Sequence, residues 1–210
     1  MRPALKPGPY ALTDHDGRDT ETLVADVHAA LEGGVRLVQY RDKSNDPVRR
    51  EEQARALLDC CRDFAVPLII NDDVALAARI GADGVHLGRE DPDPEQAREQ
   101  LGTATLVGIS CYNELDRARD AARRGASYVA FGSVFPSATK PAAVHAPLEL
   151  LTRARAELDL PICAIGGIAP DNAGEVVAAG ADLLAVIGSL WEGDPRGNAR
   201  ALGQAFYPLD

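Results

Sequence analysis

The segment Val74–Gly88, with the sequence VALAARIGADGVHLG, decides the fold of this chain. Its first seven residues have the apolar spacing of a helix, and Gly84–Leu87 is a short apolar run typical of a buried strand. Gly81 between them permits the left-handed turn that ends a helix before a strand. Similar turns occur at Glu32–Val35, Arg124–Tyr128 and Ala179–Leu183. The chain therefore repeats a helix–strand unit.

The repeated unit can be counted along the whole sequence. Eight short apolar runs, each followed by a polar turn and a stretch with helical spacing, indicate eight βα units. The predicted strands are Tyr10–Thr13, Val35–Tyr40, Leu68–Ile70, Gly84–Leu87, Leu106–Ile109, Tyr128–Phe131, Ile162–Ile165 and Leu184–Ile187. The predicted helices are Glu21–Glu32, Pro47–Phe64, Val74–Ile80, Asp93–Leu101, Glu114–Arg124, Leu148–Glu157, Ala173–Ala179 and Asp194–Phe206.

The number of strands separates two parallel architectures. An open doubly wound sheet also alternates strands and helices, but it usually stops at about five or six strands. Eight units in 210 residues therefore predict an α/β fold, a single-domain (β/α)8 TIM barrel spanning residues 1–210. In such barrels the chemistry lies at the carboxyl ends of the strands, so polar residues at those ends are the candidates for function.

The composition excludes several classes of partner. A hydrophobic fraction of 46% and a charged fraction of 26% are typical of a globular protein. A formal net charge of -10 argues against nucleic acid and anionic membranes as partners. The sequence has no run of about 18 apolar residues and no apolar targeting segment at its N-terminus. Its four cysteines lack the spacing of zinc or disulfide sites, which predicts a reduced, cytoplasmic protein.

The second predicted strand ends in a row of polar residues. Alternation along the strand places Gln39, Arg41 and Lys43 on one face, directed into the mouth of the barrel. Two inward cations suit an anion such as a phosphate. A solvated strand end with a surface ion pair remains the simpler alternative.

Two acidic residues follow the next two strands. Asp72 comes after the third strand and Asp91 after the fourth. Taken singly, Asp72 or its neighbour Asn71 could cap a helix, and Asp91 could be a turn or cap residue. As a pair beside two cations, the carboxylates suit a Mg²⁺ ion that bridges to a diphosphate. His86 alternates with core-type residues, so we expect it to be buried and hydrogen-bonded rather than catalytic.

The remaining strand ends carry hydroxyls and glycines. Ser110 follows the fifth strand, where a helix cap is an equally open interpretation. Residues 131–141, after the sixth strand, concentrate hydroxyls and a cation and are interpreted as a second anion contact. Gly167 and Gly188 follow the seventh and eighth strands, where barrel enzymes bind phosphate through backbone N–H groups. Tight turns alone would also require such glycines.

Six short segments follow one another in a specific order. They are Tyr10–Asp14 (YALTD), Gln39–Lys43 (QYRDK), Ile70–Asp72 (IND), Gly84–Gly88 (GVHLG) with Asp91, Thr139–Lys140 (TK) and Ala164–Ile168 (AIGGI). Together they resemble the thiamine-phosphate synthase family of barrel enzymes. The resemblance covers nearly the whole chain, and the ordered set is far more specific than any one segment.

The resemblance implies two substrates and a role for each candidate residue. The reaction would join hydroxymethylpyrimidine diphosphate, an aminopyrimidine, to a thiazole phosphate and release thiamine phosphate and pyrophosphate. The implied Mg²⁺ ligands are Asp72 and Asp91. The residues implied to hold the pyrimidine diphosphate are Gln39, Arg41, Lys43, Asn71, Ser110 and Lys140, and those implied to be catalytic are Arg41, Lys43, Ser110 and Lys140. The residues implied to hold the thiazole phosphate are Ser137, Thr139, Gly167, Ile187 and Gly188. A homodimer is a further expectation.

The implied reaction is dissociative, because the aminopyrimidine can donate electrons to its exocyclic methylene and let pyrophosphate leave before the thiazole nitrogen attacks. Cations around the leaving group would then stabilise the transition state, and no general base is needed. Two positions depart from the family pattern. Ser137 stands where the family commonly has threonine, and Gly188 where it commonly has serine. Each keeps a hydroxyl or a backbone N–H, so we expect altered affinity rather than lost function.

Three other functions remain open from the sequence. A related thiazole tautomerase uses a histidine near the end of the sixth strand, where this chain has Phe131, Gly132 and Ser133. Sugar-phosphate isomerases and decarboxylases would explain the glycines after the last strands but not the polar row of the second strand. A catalytically silent protein that binds thiamine phosphate would keep the fold without turnover. The diphosphate and magnesium residues favour the synthase over all three.

The site assignment can be tested by removing one cation or one carboxylate. Lys140→Ala or Asp72→Ala should abolish turnover and leave the fold intact, because each removes charge that would act on the diphosphate. Arg41→Ala should mainly weaken diphosphate handling. Steady-state kinetics, with circular dichroism as the control for folding, measures both effects. Near-normal activity of Lys140→Ala or Asp72→Ala would contradict the assignment.

Overall fold

The computed structural model describes residues 5–14, 17–136 and 144–207. Eight parallel strands form a closed barrel, in which each strand pairs with the next and the last pairs with the first. The strands are β1 (Gly8–Leu12), β2 (Leu37–Tyr40), β3 (Leu68–Asn71), β4 (Gly84–Leu87), β5 (Leu106–Tyr112), β6 (Tyr128–Gly132), β7 (Ile162–Ile165) and β8 (Leu183–Val186). The helices are α1 (Thr20–Glu32), α2 (Pro47–Asp63), α3 (Val74–Ile80), α4 (Pro94–Leu101), α5 (Leu115–Arg123), α6 (Leu148–Glu157), α7 (Ala173–Ala178), α8 (Gly188–Trp191) and α9 (Pro195–Gln204).

The (β/α)8 barrel predicted from the sequence is confirmed. The predicted strands and helices lie within two residues of the observed bounds, except that β5 continues to Tyr112. The register between β5 and β6 shifts between Ser110 and Tyr112. The short helix α8 was not predicted, because four residues are too few to show helical periodicity.

The buried apolar side chains form two layers, one between the strands and the helices and one inside the barrel. Successive residues of a strand point alternately to these two layers. On β1, for example, Tyr10 and Leu12 point inward while Ala11 packs in the outer layer. The inner layer consists of Tyr10, Leu12, Leu37, Ile69, Leu106, Tyr128, Ala130, Cys163, Leu183 and Ala185.

A glycine on β5 makes room for the largest side chain of the inner layer. Gly108 lies beside Tyr128 in the β5–β6 register, and a Cβ at position 108 would lie 2.1 Å from the Tyr128 Cζ. The Tyr128 ring is fully buried and meets the Tyr10 ring edge to face, with ring centroids 5.9 Å apart. The interior packing of these two rings therefore depends on Gly108.

The four cysteines are free and buried in this fold. Burial raises the pKa of the Cys111 thiol to about 12 and also raises the pKa of Cys163, so both stay protonated and unreactive at neutral pH. None of the helices in the described part of the chain combines the length and the apolar character needed to cross a membrane.

Gly108→Ala should lower the free energy of unfolding by about 1–3 kcal/mol, because the added methyl group overpacks the interior against Tyr128. The matched control is Gly174→Ala in α7, where a Cβ meets no atom within 4 Å. That variant should be neutral or more stable by up to about 1 kcal/mol. Urea denaturation measures both, and equal stabilities of the two variants would contradict this account of the packing.

Candidate active site

The carboxyl ends of the strands surround one large cavity of about 650 Å³. All eight strands contribute to its lining, and the apolar part includes Ala130, Cys163, Ile165 and Ala185. A cavity of this size is in the range that proteins use for small organic ligands. The barrel mouth is therefore the place where the predicted functional residues should be sought.

The predicted residues fall into three groups. Those that line the cavity are Gln39, Arg41, Asn71, Ser110, Gly167, Ile187 and Gly188. Those that lie together at its edge are Lys43, Asp72 and Asp91. Those that lie outside the described residues are Ser137, Thr139 and Lys140.

The edge of the cavity near β3 and β4 carries two neighbouring carboxylates. Lys43 Nζ forms an ion pair with Asp72 Oδ2, and Asp91 Oδ2 accepts a hydrogen bond of 2.7 Å from the Gly88 N–H. Burial raises the pKa of Asp91 and the nearby Asp72 carboxylate raises it further, while the Gly88 N–H and Lys43 act in the opposite direction. The negative charge of Asp72 thus disfavours ionisation of Asp91, and the positive charge of Lys43 favours it.

The capping roles left open by the sequence belong to other residues. Asp73 caps α3, because its side chain accepts from the Leu76 N–H at 2.8 Å, so neither Asn71 nor Asp72 does. Asp72 itself has a φ of 62°, in the left-handed region that aspartate tolerates better than most residues. Asp93 caps α4, and Asp91 is the turn residue that accepts from Gly88.

The carboxylate pair is the candidate position for a divalent cation. In residues 5–14, 17–136 and 144–207, no three His, Cys, Asp or Glu side chains come together as a metal site. Mg²⁺, however, is usually bound through one or two carboxylates, several waters and substrate phosphate oxygens. Asp72 and Asp91 provide such a pair, and the Asp72 carboxylate contributes to the raised pKa of Asp91.

The end of β2 is fixed by contacts on both sides of Arg41. Its backbone N–H donates to Thr13 Oγ1 at 2.8 Å, and its Nη1 lies 3.5 Å from Asp14 Oδ1. The next residue, Asp42, is buried and accepts from Arg49 Nη2 at 2.9 Å. These contacts hold the strand end so that Arg41 lines the cavity and Lys43 reaches its edge.

A continuous set of hydrogen bonds crosses the barrel interior below the cavity. We call it the tyrosine relay, and its members are Gln39, Tyr10, Tyr128, His86 and Ser110. Gln39 Nε2 donates to the Tyr10 hydroxyl at 2.6 Å, and the two tyrosine hydroxyls are 2.7 Å apart. His86 Nδ1 lies 3.0 Å from the Tyr128 hydroxyl, and its Nε2 lies 2.9 Å from Ser110 Oγ. The expectation that His86 is buried and hydrogen-bonded is confirmed.

The ends of β7 and β8 form the opposite side of the mouth. Gly167 has a φ of +63°, and α8 begins at Gly188 directly after β8. The N–H groups of Leu190 and Trp191 donate to the Ile187 carbonyl, so those of Gly188 and Ser189 are the ones in α8 without an acceptor inside the helix. Ser189 Oγ donates to the Ile168 carbonyl at 2.7 Å and joins the two loops.

Several residues of the site were assigned no role from the sequence. Tyr10, Tyr112 and Glu192 line the cavity, and Tyr128 joins Tyr10 in the tyrosine relay below it. The signal for Tyr10 and Tyr128 was available, because both are hydroxylated residues at inward positions of predicted strands. Tyr112 lies beyond the predicted end of β5, and Glu192 follows the helix that was not predicted.

Comparison with known proteins gives one consistent family. The sequence profile of the thiamine monophosphate synthase family matches residues 9–190. A thiamine-phosphate synthase from Azoarcus sp. is 54% identical over 200 residues, covering 95% of this chain and 97% of that protein. One from Marinobacter nauticus is 48% identical over 215 residues, covering 100% and 96%. The solved structure of a thiamine phosphate pyrophosphorylase from Pyrococcus furiosus has a TM-score of 0.84 and 33% identity, covering 96% of each chain.

More distant structures share only the fold. A geranylgeranylglyceryl phosphate synthase from Thermoplasma acidophilum has a TM-score of 0.69 at 15% identity. The barrel, its polar mouth and the close relatives together define a (β/α)8-barrel transferase of thiamine biosynthesis. The chain belongs to the thiamine monophosphate synthase family.

Proposed function

We propose that this protein condenses hydroxymethylpyrimidine diphosphate with a thiazole phosphate to give thiamine phosphate and pyrophosphate. The observation that carries the proposal is the arrangement of the mouth, where cations from β2 and a carboxylate pair face glycine loops across one cavity. Such a mouth offers two separate places for phosphate groups. The identity of about half of all residues to thiamine-phosphate synthases supports the same reaction.

The pyrimidine diphosphate would bind on the β2–β5 side of the cavity. Gln39 would contact the pyrimidine from the inner end of the polar row, while Arg41 and Lys43 would contact the diphosphate near the edge. Asn71 and Ser110 line the same side and would donate hydrogen bonds to it. Lys140 is proposed for the same group from the family resemblance and lies outside the described residues.

Asp72 and Asp91 would hold Mg²⁺ beside the diphosphate. The pair fits this ion because its ligands are hard oxygens and because the Asp72 carboxylate adds to the raised pKa of Asp91, a repulsion that a cation would relieve. When bound, the ion supplies positive charge to the diphosphate oxygens. Lys43 would then turn from Asp72 toward the leaving group, since its present partner would be engaged by the metal.

The reaction needs one bond to break and one to form. The methylene C–O bond breaks and its electron pair leaves with pyrophosphate, and the resulting cation is stabilised by the aminopyrimidine. The lone pair of the thiazole nitrogen then forms the new C–N bond, and no proton is lost. Arg41, Lys43 and Lys140 would stabilise the charge that grows on the leaving group, and Ser110 would donate a hydrogen bond to it. Loss of one such preorganised contact typically slows an enzyme by about 10²–10³-fold.

The thiazole phosphate would bind at the opposite side of the mouth. Backbone N–H groups near Gly167, Ile187 and Gly188 would contact it, and the described lining of the cavity brings all three positions together. Ser137 and Thr139 are proposed for the same phosphate from the family resemblance and lie outside the described residues. Placing the two substrates on opposite sides would direct the thiazole nitrogen at the methylene carbon.

The remaining expectations concern location and assembly. We place the reaction in the cytoplasm, since four free cysteine thiols, all of them buried, suit a reducing compartment. The partners of this proposal are the two small-molecule substrates. A homodimer stays a prediction, and sedimentation velocity of the purified protein would test it.

The decisive experiment mixes the purified protein with both substrates and Mg²⁺ and follows pyrophosphate and thiamine phosphate by chromatography. Product that appears with Mg²⁺ and disappears with chelator is the expected result. Folded protein without product would instead favour the tautomerase or the silent binding protein. Thermal shifts with each ligand would then separate those two.

Gly167→Ala should raise the KM for thiazole phosphate about tenfold and leave the KM for pyrimidine diphosphate nearly unchanged. The added Cβ would lie 2.4 Å from the Pro136 carbonyl at a φ of +63°, and such strain costs about 1–3 kcal/mol. Gly203→Ala is the control, because a Cβ there has its nearest neighbour at 4.0 Å. An equal rise in both KM values would contradict two separate phosphate sites.

A further inference from the structure

We infer that Tyr10, Tyr128 and His86 are positioning residues that transmit one hydrogen-bond direction through the tyrosine relay. The relay presents the Gln39 amide oxygen as an acceptor and the Ser110 hydroxyl as a donor to the cavity. It therefore selects a pyrimidine that carries an amino group over one that carries a carbonyl or hydroxyl group there. The inference rests on the proposed function for the identity of the substrate. Its first test, described below, uses no substrate and does not depend on that function.

The direction begins at Gln39. Its Nε2 donates to the Tyr10 hydroxyl at 2.6 Å, so the Tyr10 oxygen is already an acceptor. Among the described residues, the Tyr10 hydroxyl contacts only Gln39 and Tyr128. In the inferred direction its own hydrogen is donated to the Tyr128 oxygen, 2.7 Å away, which keeps this hydrogen bonded within the protein. Full burial raises the pKa of both phenols, so each hydroxyl keeps its one hydrogen.

The direction continues through His86. The Tyr128 oxygen accepts from Tyr10, so its hydrogen is donated to His86 Nδ1 at 3.0 Å. A neutral imidazole that accepts at Nδ1 carries its hydrogen on Nε2. That hydrogen is donated to Ser110 Oγ at 2.9 Å. The hydroxyl hydrogen of Ser110 is then left for a group in the cavity.

The hydrogen bonds of the relay could also all run in the opposite direction, and the two ends would then offer the opposite groups to the cavity. If the Gln39 amide turned over, Tyr10 would donate to its oxygen, every later bond would reverse, and Ser110 would donate to His86. Gln39 would then offer only donors to the cavity and Ser110 only an acceptor. The two ends of the relay are therefore coupled, because one cannot change its role without the other.

This coupling gives the site a preference that depends on both ends of the substrate. An exocyclic amino group donates to the Gln39 oxygen, and a diphosphate oxygen accepts from Ser110, so an aminopyrimidine diphosphate matches the observed direction at both ends. An analogue with an oxygen in place of the amino group mismatches Gln39. If the relay reversed so that Gln39 could donate to this oxygen, Ser110 would no longer donate a hydrogen bond to the diphosphate. Sites built around such hydrogen bonds discriminate strongly, because the wrong ligand leaves buried groups unpaired.

The first test reads the His86 tautomer directly in the free protein. Nitrogen NMR of protein labelled at histidine, with His86→Asn to assign its signals, should show the hydrogen on Nε2. Tyr128→Phe removes the donor to Nδ1 and should shift the tautomer population. A hydrogen on Nδ1 in the unaltered protein would overturn the inferred direction. No substrate or turnover is needed, so this result stands apart from the proposed function.

The second test compares kcat/KM for the aminopyrimidine diphosphate with that for the analogue that carries oxygen in place of the amino group. Tyr128→Phe should reduce the ratio between the two substrates about tenfold. Taking the ratio of variant to unaltered protein removes the intrinsic difference in reactivity between the substrates. An unchanged ratio would show that the relay does not set the preference. Tyr10→Phe interrupts the same relay and provides the measurement if Tyr128→Phe fails to fold.

The matched control is Tyr40→Phe, which removes a buried tyrosine hydroxyl outside the relay. The Tyr40 hydroxyl donates to Gln53 Oε1 at 2.9 Å and lies 3.3 Å from Asp42 Oδ2, and neither residue is a member of the relay. This variant should keep both the His86 tautomer and the substrate ratio. A loss of preference equal to that of Tyr128→Phe would overturn the assignment to the relay. Absence of turnover with either substrate in the unaltered protein would reject the proposed function and leave the tautomer result to decide the direction.

Discussion

The pairing of β8 with β1 is the constraint on which the site depends. Once the sheet is closed, one face of every strand must point into a narrow interior, and the other must pack against helices. Tyr10, Leu106 and Tyr128 fill the interior, so open space remains only beyond the carboxyl ends of the strands. Polar residues of the inward rows, such as Gln39 and Ser110, therefore meet at one mouth although different strands carry them.

A filled interior that also contains hydroxyl groups must satisfy them. A buried hydroxyl without a partner costs about 1–3 kcal/mol, so the interior tyrosines are compatible with a stable barrel only when they bond to one another or to neighbours. The tyrosine relay meets this requirement with side chains from five different strands. Gly108 contributes by leaving the space that the Tyr128 ring occupies. The same few positions therefore determine how the interior side chains pack and how their polar groups are hydrogen-bonded.

The sequence was sufficient for the barrel and for bringing Gln39, Arg41, Asn71 and Ser110 to its mouth, because both follow from local periodicity and strand order. It offered Asn71 or Asp72 as the cap of α3, whereas the backbone conformation places the cap one residue later, at Asp73. It could not pair Tyr10 with Tyr128, because their contact joins residues 118 positions apart. Helix α8 was not predicted, because a single turn is too short to show helical periodicity in the sequence. Local patterns predict elements, whereas contacts across the barrel depend on its closure.

The tyrosine relay joins the two halves of the molecule three times. Tyr10 of β1 meets Tyr128 of β6, and His86 of β4 meets both Tyr128 of β6 and Ser110 of β5. A fragment ending after β4 would hold Gln39, Tyr10 and His86 without the hydroxyl that connects them, and the complementary fragment would hold Tyr128 and Ser110 alone. The relay is therefore a property of the assembled barrel and of neither half, even though the sequence is built from small units of one kind.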